Sequence, residues 1–195
     1  MSWRKLQGHS PIVLGIDPGT HTTGYGVATQ IGTRLVCLKK GAIRTSDKQP
    51  LEQRLRTIYN QLVAVIDETS PDVMAVEAIF YAKNVRSAVI LAHARGVALL
   101  AAANKSLPVI EYSATEVKQS TVGYGRASKE QILTMVSRLF RLPTAPTTRH
   151  DSTDALAVAL CHLNVGNSAR RIAQALNLET PTRRLGRGGS RWRTL

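Results

Sequence analysis

Residues 12–28, IVLGIDPGTHTTGYGVA, constrain the fold more than any other stretch, because they join two β-forming segments through a turn that begins at an acid. Ile12, Val13, Leu14 and Ile16 are apolar β-formers, so the run reads as a buried strand that stops at Asp17 and turns at Pro18-Gly19. Polar residues from Thr20 to Thr23 follow, and Tyr25 to Ala28 form a second strand. Asp-Pro-Gly is common turn chemistry, and taken alone Asp17 needs no other role. A carboxylate where a central strand leaves the sheet nevertheless occupies the edge where open α/β sheets keep their ligands.

Gly32-Thr33 separates the second strand from Leu35–Ile43, which makes an antiparallel meander of the first three strands. Leu51, Leu55, Ile58, Leu62, Val65 and Ile66 recur at helical spacing and predict an amphipathic helix reaching about Glu68, before Pro71. VMAVE at 73–77 is a second short strand ending in an acid, Glu77; because it follows a helix, it is expected to lie parallel beside the first. Ser87–Ala103 is apolar almost all round, yet His93 and Arg95 at its centre make it a poor membrane span, so a dimer interface is the preferred reading.

Pro108–Tyr112 is a further strand, and Ser113–Gly125 a short helix running into a glycine-bearing loop flanked by Lys118 and Lys129. Ser128 with Gln131 makes a capping box for the helix behind it, and His150–Leu163 reads as a last helix with Asp151 and Asp154 in its first turn. The expected class is α/β, a five-stranded mixed sheet of three antiparallel strands followed by parallel ones, with helices on both faces. Residues 1–11 are expected to be a disordered lead-in and 12–165 one domain. In 166–195 the arginines from Arg170 to Arg193 face a single acid, Glu179, which suggests a flexible basic tail, with Ile172–Leu178 able to form a helical turn or two.

Charge narrows the choice of partner. Lys and Arg number 26 against 13 Asp and Glu, giving +13 and a pI near 10.4, which favours a polyanion, nucleic acid before a membrane surface. Residues 1–11 are too polar for a signal peptide and no charge-free apolar run is long enough to span a bilayer, so a soluble, cytoplasmic protein is expected. Cys37 and Cys161 are too few for a disulfide framework or a zinc site.

Four carboxylates stand out by position. Asp151 and Asp154, at i and i+3, project from one helical face, and Asp17 and Glu77 share a sheet edge if their strands are neighbours. Singly each has an ordinary explanation: acids near a helix N-terminus are favoured by the helix dipole whatever the function, and Glu77 suits a polar strand end. Together they describe a hard-cation site, since like charges held close raise one another's pKa unless a cation lies between them. Oxygen ligands without paired cysteines select Mg²⁺ or Mn²⁺ over zinc, and two such ions about 4 Å apart support in-line phosphoryl displacement. Phe80 and Tyr81, shortly after Glu77, suit either stacking on a base or the core, and Lys83, Arg86, Lys118, Arg126 and Lys129 are candidate phosphate contacts.

The motifs GIDPGTHTTGYGV at 15–27, VEAIFYAKN at 76–84, VKQSTVGYGRASKEQ at 117–131 and HDSTDALAVALCH at 150–162 together resemble the bacterial RuvC family of Holliday junction resolvases. The resemblance implies a ribonuclease H-like fold, a homodimer, and Mg²⁺-dependent nicking of two strands of like polarity at a four-way DNA junction. It implies work alongside the RuvA–RuvB branch-migration complex. It makes Asp17, Glu77, Asp151 and Asp154 the catalytic ligands of two metal ions per subunit, and Phe80 the aromatic inserted at the junction centre. Lys118 and Lys129 correspond to lysines near the scissile phosphate, whereas Lys83 is assigned to DNA without a definite role. Some members carry a histidine at the position matching Asp151. The carboxylates alone also fit a ribonuclease H-like nuclease acting on another nucleic acid, and the charge alone fits a non-catalytic junction-binding protein. The first motif looks too like the phosphate loop of actin-like kinases, but that fold needs a second such domain and a longer chain.

Overall fold

The computed structural model describes residues 10–78, 85–143 and 151–175. In chain order the elements are β1 (Val13–Asp17), β2 (Thr22–Ile31), β3 (Arg34–Arg44), α1 (Leu51–Thr69), β4 (Val73–Glu77), α2 (Val85–Asn104), β5 (Val109–Tyr112), α3 (Ala114–Val122), α4 (Lys129–Leu139) and α5 (Asp151–Ala175). The sheet order is β3-β2-β1-β4-β5, with β1–β2 and β2–β3 antiparallel and β1–β4 and β4–β5 parallel. This is the expected α/β arrangement of a meander followed by crossover strands. The hairpin β2–β3 is longer than its apolar core suggests, because polar Thr22 and Gln30 continue the ladder opposite Arg44 and Leu35; its turn places Gly32 at a φ of 62°.

Strand alternation divides the interior in two. Val13, Ala28, Val73, Ala75 and Tyr112 point to one face, where they meet Val117 of α3, Ile132 and Val136 of α4, and α5. Leu14, Ile16, Val27, Met74 and Val76 point to the other, against Ile58 and Leu62 of α1 and Ala94 and Ala98 of α2. By the same parity, Asp17 and Glu77 emerge on the α5 face.

Helix α5 lies between the sheet and the α3–α4 pair, and Ala155 to Cys161 are all buried. Its approach to the sheet is closer than a side chain permits: a Cβ at Gly15 would stand 2.0 Å from the Ala155 carbonyl oxygen and 2.7 Å from the Ala159 amide nitrogen. The helix does not stop at Leu163, where the sequence predicts its end, but continues through Gly166 to Ala175. The start of the segment expected to be flexible is therefore helical, because a helix already anchored by a buried half propagates through residues that would not nucleate one.

On the opposite face, α2 packs Ala94, Ala98, Ala101 and Ala102 inward and leaves Val89 50% and Leu100 52% exposed. Arg95 reaches β5, where Nη2 pairs with Glu111. Among the described residues no helix is long and apolar enough to cross a membrane. Cys37 and Cys161 are free thiols; burial pushes Cys161 up to about 11, which keeps it protonated and inert.

Replacing Gly15 by alanine forces α5 off β1, because the atoms in the way are backbone. The expected loss is about 1–3 kcal/mol of unfolding free energy, read as a lower denaturant midpoint; an unchanged midpoint would contradict this packing.

Candidate active site

Two strands and one helix position the acids. Parallel pairing runs from Val13 beside Val73 to Ile16 beside Val76, so the next step sets Asp17 beside Glu77 at the C-terminal ends of β1 and β4. On the other side of β1, Asp17 pairs with Gly24 of β2. A Cβ at Gly24 would stand 2.0 Å from the Asp151 carbonyl oxygen, so the missing side chain is what lets the first turn of α5 settle over this strand end. Asp151 and Asp154, both partly buried, thereby come to the edge that carries Asp17 and Glu77.

The electrostatics record this convergence. Asp17 is pushed up from 3.8 to about 7, first by burial, then by the charges of Asp154 and Glu77 and least by Asp151, with Lys129 opposing. Glu77 is raised by burial and by Asp154, while Lys129 and Lys118 draw it down. Lys129 Nζ lies 3.8 Å from Asp154 Oδ2. Tyr112, level with Glu77 on β5 and buried on the same face, shares a hydrogen bond with His162 Nδ1 at 2.8 Å.

The donor set fits a hard divalent cation: four carboxylate side chains, two of them held at raised pKa by burial and mutual repulsion that a cation would relieve. Among the described residues, no three His, Cys, Asp or Glu side chains are close enough together to hold an ion as they stand.

All four acids singled out from the sequence, with Lys118 and Lys129, thus meet at one edge of the sheet. Phe80, Tyr81, Lys83 and His150 lie outside the described residues, and so does the side chain of Arg86. Gly15, Gly24 and Tyr112 went unnoticed in the sequence. A signal existed for the glycines: both interrupt β-forming runs where a strand otherwise favours a side chain.

A carboxyl whose folded pKa is raised binds a proton in the folded chain between pH 3.8 and about 7 that the unfolded chain has released. Its contribution to stability is therefore greatest below the ordinary carboxylate range and is lost as pH rises through about 7. In EDTA, Asp17→Asn is expected to raise the thermal midpoint near pH 8 by several degrees and to do much less near pH 4. About 1 kcal/mol corresponds to roughly 2–4 °C for a chain of this size. Equal effects at both pH values would contradict a repelled Asp17.

The family model described as crossover junction endodeoxyribonuclease RuvC matches residues 13–162. The crossover junction endodeoxyribonuclease RuvC of Syntrophotalea carbinolica is 55% identical over 150 residues, 77% of this chain and 92% of that protein. The protein of the same name from Klebsiella pneumoniae is 47% identical over 168 residues, 86% of this chain and 95% of its own length. Among solved structures, T. thermophilus RuvC in complex with Holliday junction substrate is similar at a TM-score of 0.76 and 33% identity, covering 81% of this chain and 96% of that one. With an acid-lined sheet edge under the first turn of α5 and a family match across nearly all of the described fold, the chain belongs to the RuvC family of crossover junction endodeoxyribonucleases.

Proposed function

We propose that this protein resolves four-way DNA junctions by hydrolysing a phosphodiester in each of two strands, with Asp17, Glu77, Asp151 and Asp154 as its metal ligands. The observation that carries the reading is Asp17 and Glu77 side by side on parallel strands beneath the turn that bears Asp151 and Asp154. Two Mg²⁺ ions per subunit, or Mn²⁺ in their place, supply the chemistry of water activation and leaving-oxygen stabilisation. The family supports divalent-metal use in general, and the all-oxygen donor set supports these ions over softer ones.

The chain's own contribution is to bind and orient. The carboxyl groups sit partly buried and close enough to raise the pKa of Asp17 and Glu77, a cost that a bound cation would relieve, and Lys118 and Lys129 bring positive charge to the edge where a phosphate must approach. Attack in line with the departing 3′ oxygen leaves a 5′-phosphate and a 3′-hydroxyl. Phe80 and Lys83, in the segment after Glu77, are assigned to DNA by resemblance alone. The +13 charge supplies affinity that is independent of sequence and weakens with salt.

A homodimer with two such edges makes paired nicks before a junction arm can leave. The exposed Val89, Ile90 and Leu100 on α2 support that helix as the dimer face. The RuvA–RuvB complex is the partner this reading expects, and the cytoplasm its compartment.

The decisive experiment is incubation with a synthetic four-way junction and Mg²⁺, with nicks mapped on all strands. Symmetric paired nicks are expected. Asp17→Asn should keep junction affinity within a few-fold and slow cleavage by at least about a thousandfold, roughly 4 kcal/mol of transition-state stabilisation. Substantial cleavage by that variant would remove Asp17 from the mechanism.

A further inference from the structure

The loop that follows Asp17, residues 18–21, is held by Thr23 of β2 and by Thr45 and Asp47 beyond β3, and those last two are held in turn by Arg54 of α1, a cation with no evident reason to be buried. Thr23, fully buried on β2, donates Oγ1 to the Gly19 carbonyl at 2.7 Å. From the other side Thr45, just beyond β3, donates its amide to the His21 carbonyl at 3.0 Å and its hydroxyl to the Thr20 carbonyl. The same hydroxyl accepts from Arg54 Nε at 3.1 Å. Arg54 Nη1 lies 3.1 Å from Asp47 Oδ1, and that oxygen is 2.8 Å from His21 Nδ1. The guanidinium on α1 therefore closes a ring through Thr45, Thr20, His21 and Asp47.

Arg54 is only 9% exposed and shares the inward face of α1 with Ile58, Leu62, Val65 and Ile66. Among the described residues its bonding is incomplete, since Nη2 is buried without a hydrogen-bond partner and its one carboxylate partner there, Asp47, is largely exposed. A buried cation so weakly compensated is a poor source of stability compared with an apolar side chain of similar volume. What it offers is geometry: Nε and Nη1 of a planar guanidinium hold Thr45 and Asp47 at a set separation, which an ammonium on a flexible stem does not. Thr20 has no such hold of its own, because its hydroxyl is buried without a partner among the described residues.

We infer that Arg54 is a positioning residue of the nuclease site, fixing residues 18–21 through Thr45 and Asp47 and so orienting the Asp17 carboxylate one residue before that loop. This rests on the proposed function for both its substrate and its metal. Removing a group bonded directly to a metal ligand costs about 10–100-fold in metal affinity or activity, which is the upper bound for Arg54, whose hold reaches Asp17 only through Thr45 and Asp47.

The test uses the full chain with Arg54→Lys, Thr45→Val and the double variant. Single-turnover nicking of a four-way junction at saturating protein is measured beside junction affinity in EDTA, thermal midpoint, and the Mg²⁺ concentration that gives half of the Mg²⁺-induced midpoint shift. Each single variant is expected to keep junction affinity, to slow nicking by up to about 10–100-fold and to need more Mg²⁺. The double variant should lose little beyond either single one, because both break the same ring. Wild-type nicking rates and Mg²⁺ demand in Arg54→Lys, or losses that vanish once cooling restores the folded population, would overturn the inference and leave Arg54 structural. Should the wild-type protein show an Asp17-dependent Mg²⁺ shift and yet leave the junction intact, the substrate reading fails and the Mg²⁺ titration still decides the role of Arg54.

Discussion

The close approach of α5 to the centre of the sheet is the contact on which the rest of the structure depends. At Gly15 and Gly24 the strands present bare backbone, and the helix descends until its own backbone touches the place where a Cβ would be. Leu156, Leu160 and Leu163 are buried in consequence, each contributing about 1.5–3 kcal/mol relative to exposure. The same descent carries Asp151 and Asp154 to the strand ends that bear Asp17 and Glu77. Packing and chemistry are thus one arrangement, and a helix seated a side chain higher would separate both.

That arrangement concentrates negative charge in a protein that is otherwise strongly basic. Apolar burial holds the acids together against repulsion, and the cost remains visible in the raised Asp17 and Glu77. Lys129 and Lys118 offset part of it. A site of this kind is destabilised when empty and relieved by a divalent cation, so metal affinity and local strain share a cause. The loop after Asp17 belongs to the same economy of position. Hydrogen bonds from Thr23 and from Thr45, itself held by Arg54, leave it little freedom, so the carboxylate meets its neighbours without first having to be ordered.

How far such a site can be read in advance depends on the kind of residue involved. Asp17 and Glu77 announce themselves, because each ends a short β-forming run, and Asp151 with Asp154 lie on one face of any helix that starts there. Gly15 and Gly24 resemble ordinary strand-weakening residues until the helix above them is known. Arg54 looks like one more cation on an amphipathic helix, since nothing local reveals that its fork reaches across to the end of β3. The helical continuation of α5 beyond Gly166 was equally hidden, because its support lies in a buried half whose packing partners are distant in the chain.

By itself the sequence determined the element order, the meander followed by crossover strands, the two acid-terminated strands, the acidic first turn of the last helix and the excess positive charge. All of these follow from periodicities and turn chemistry that act over a few residues. Only the tertiary structure decided that Asp17 and Glu77 stand level on one face, that α5 lies close enough to add its two acids, and that Arg54 of α1 bonds the same Thr45 that bonds the loop between β1 and β2. Those depend on strand register, on absent side chains and on a ring of hydrogen bonds between segments far apart in the chain, and distances of that kind exist only once the chain has folded.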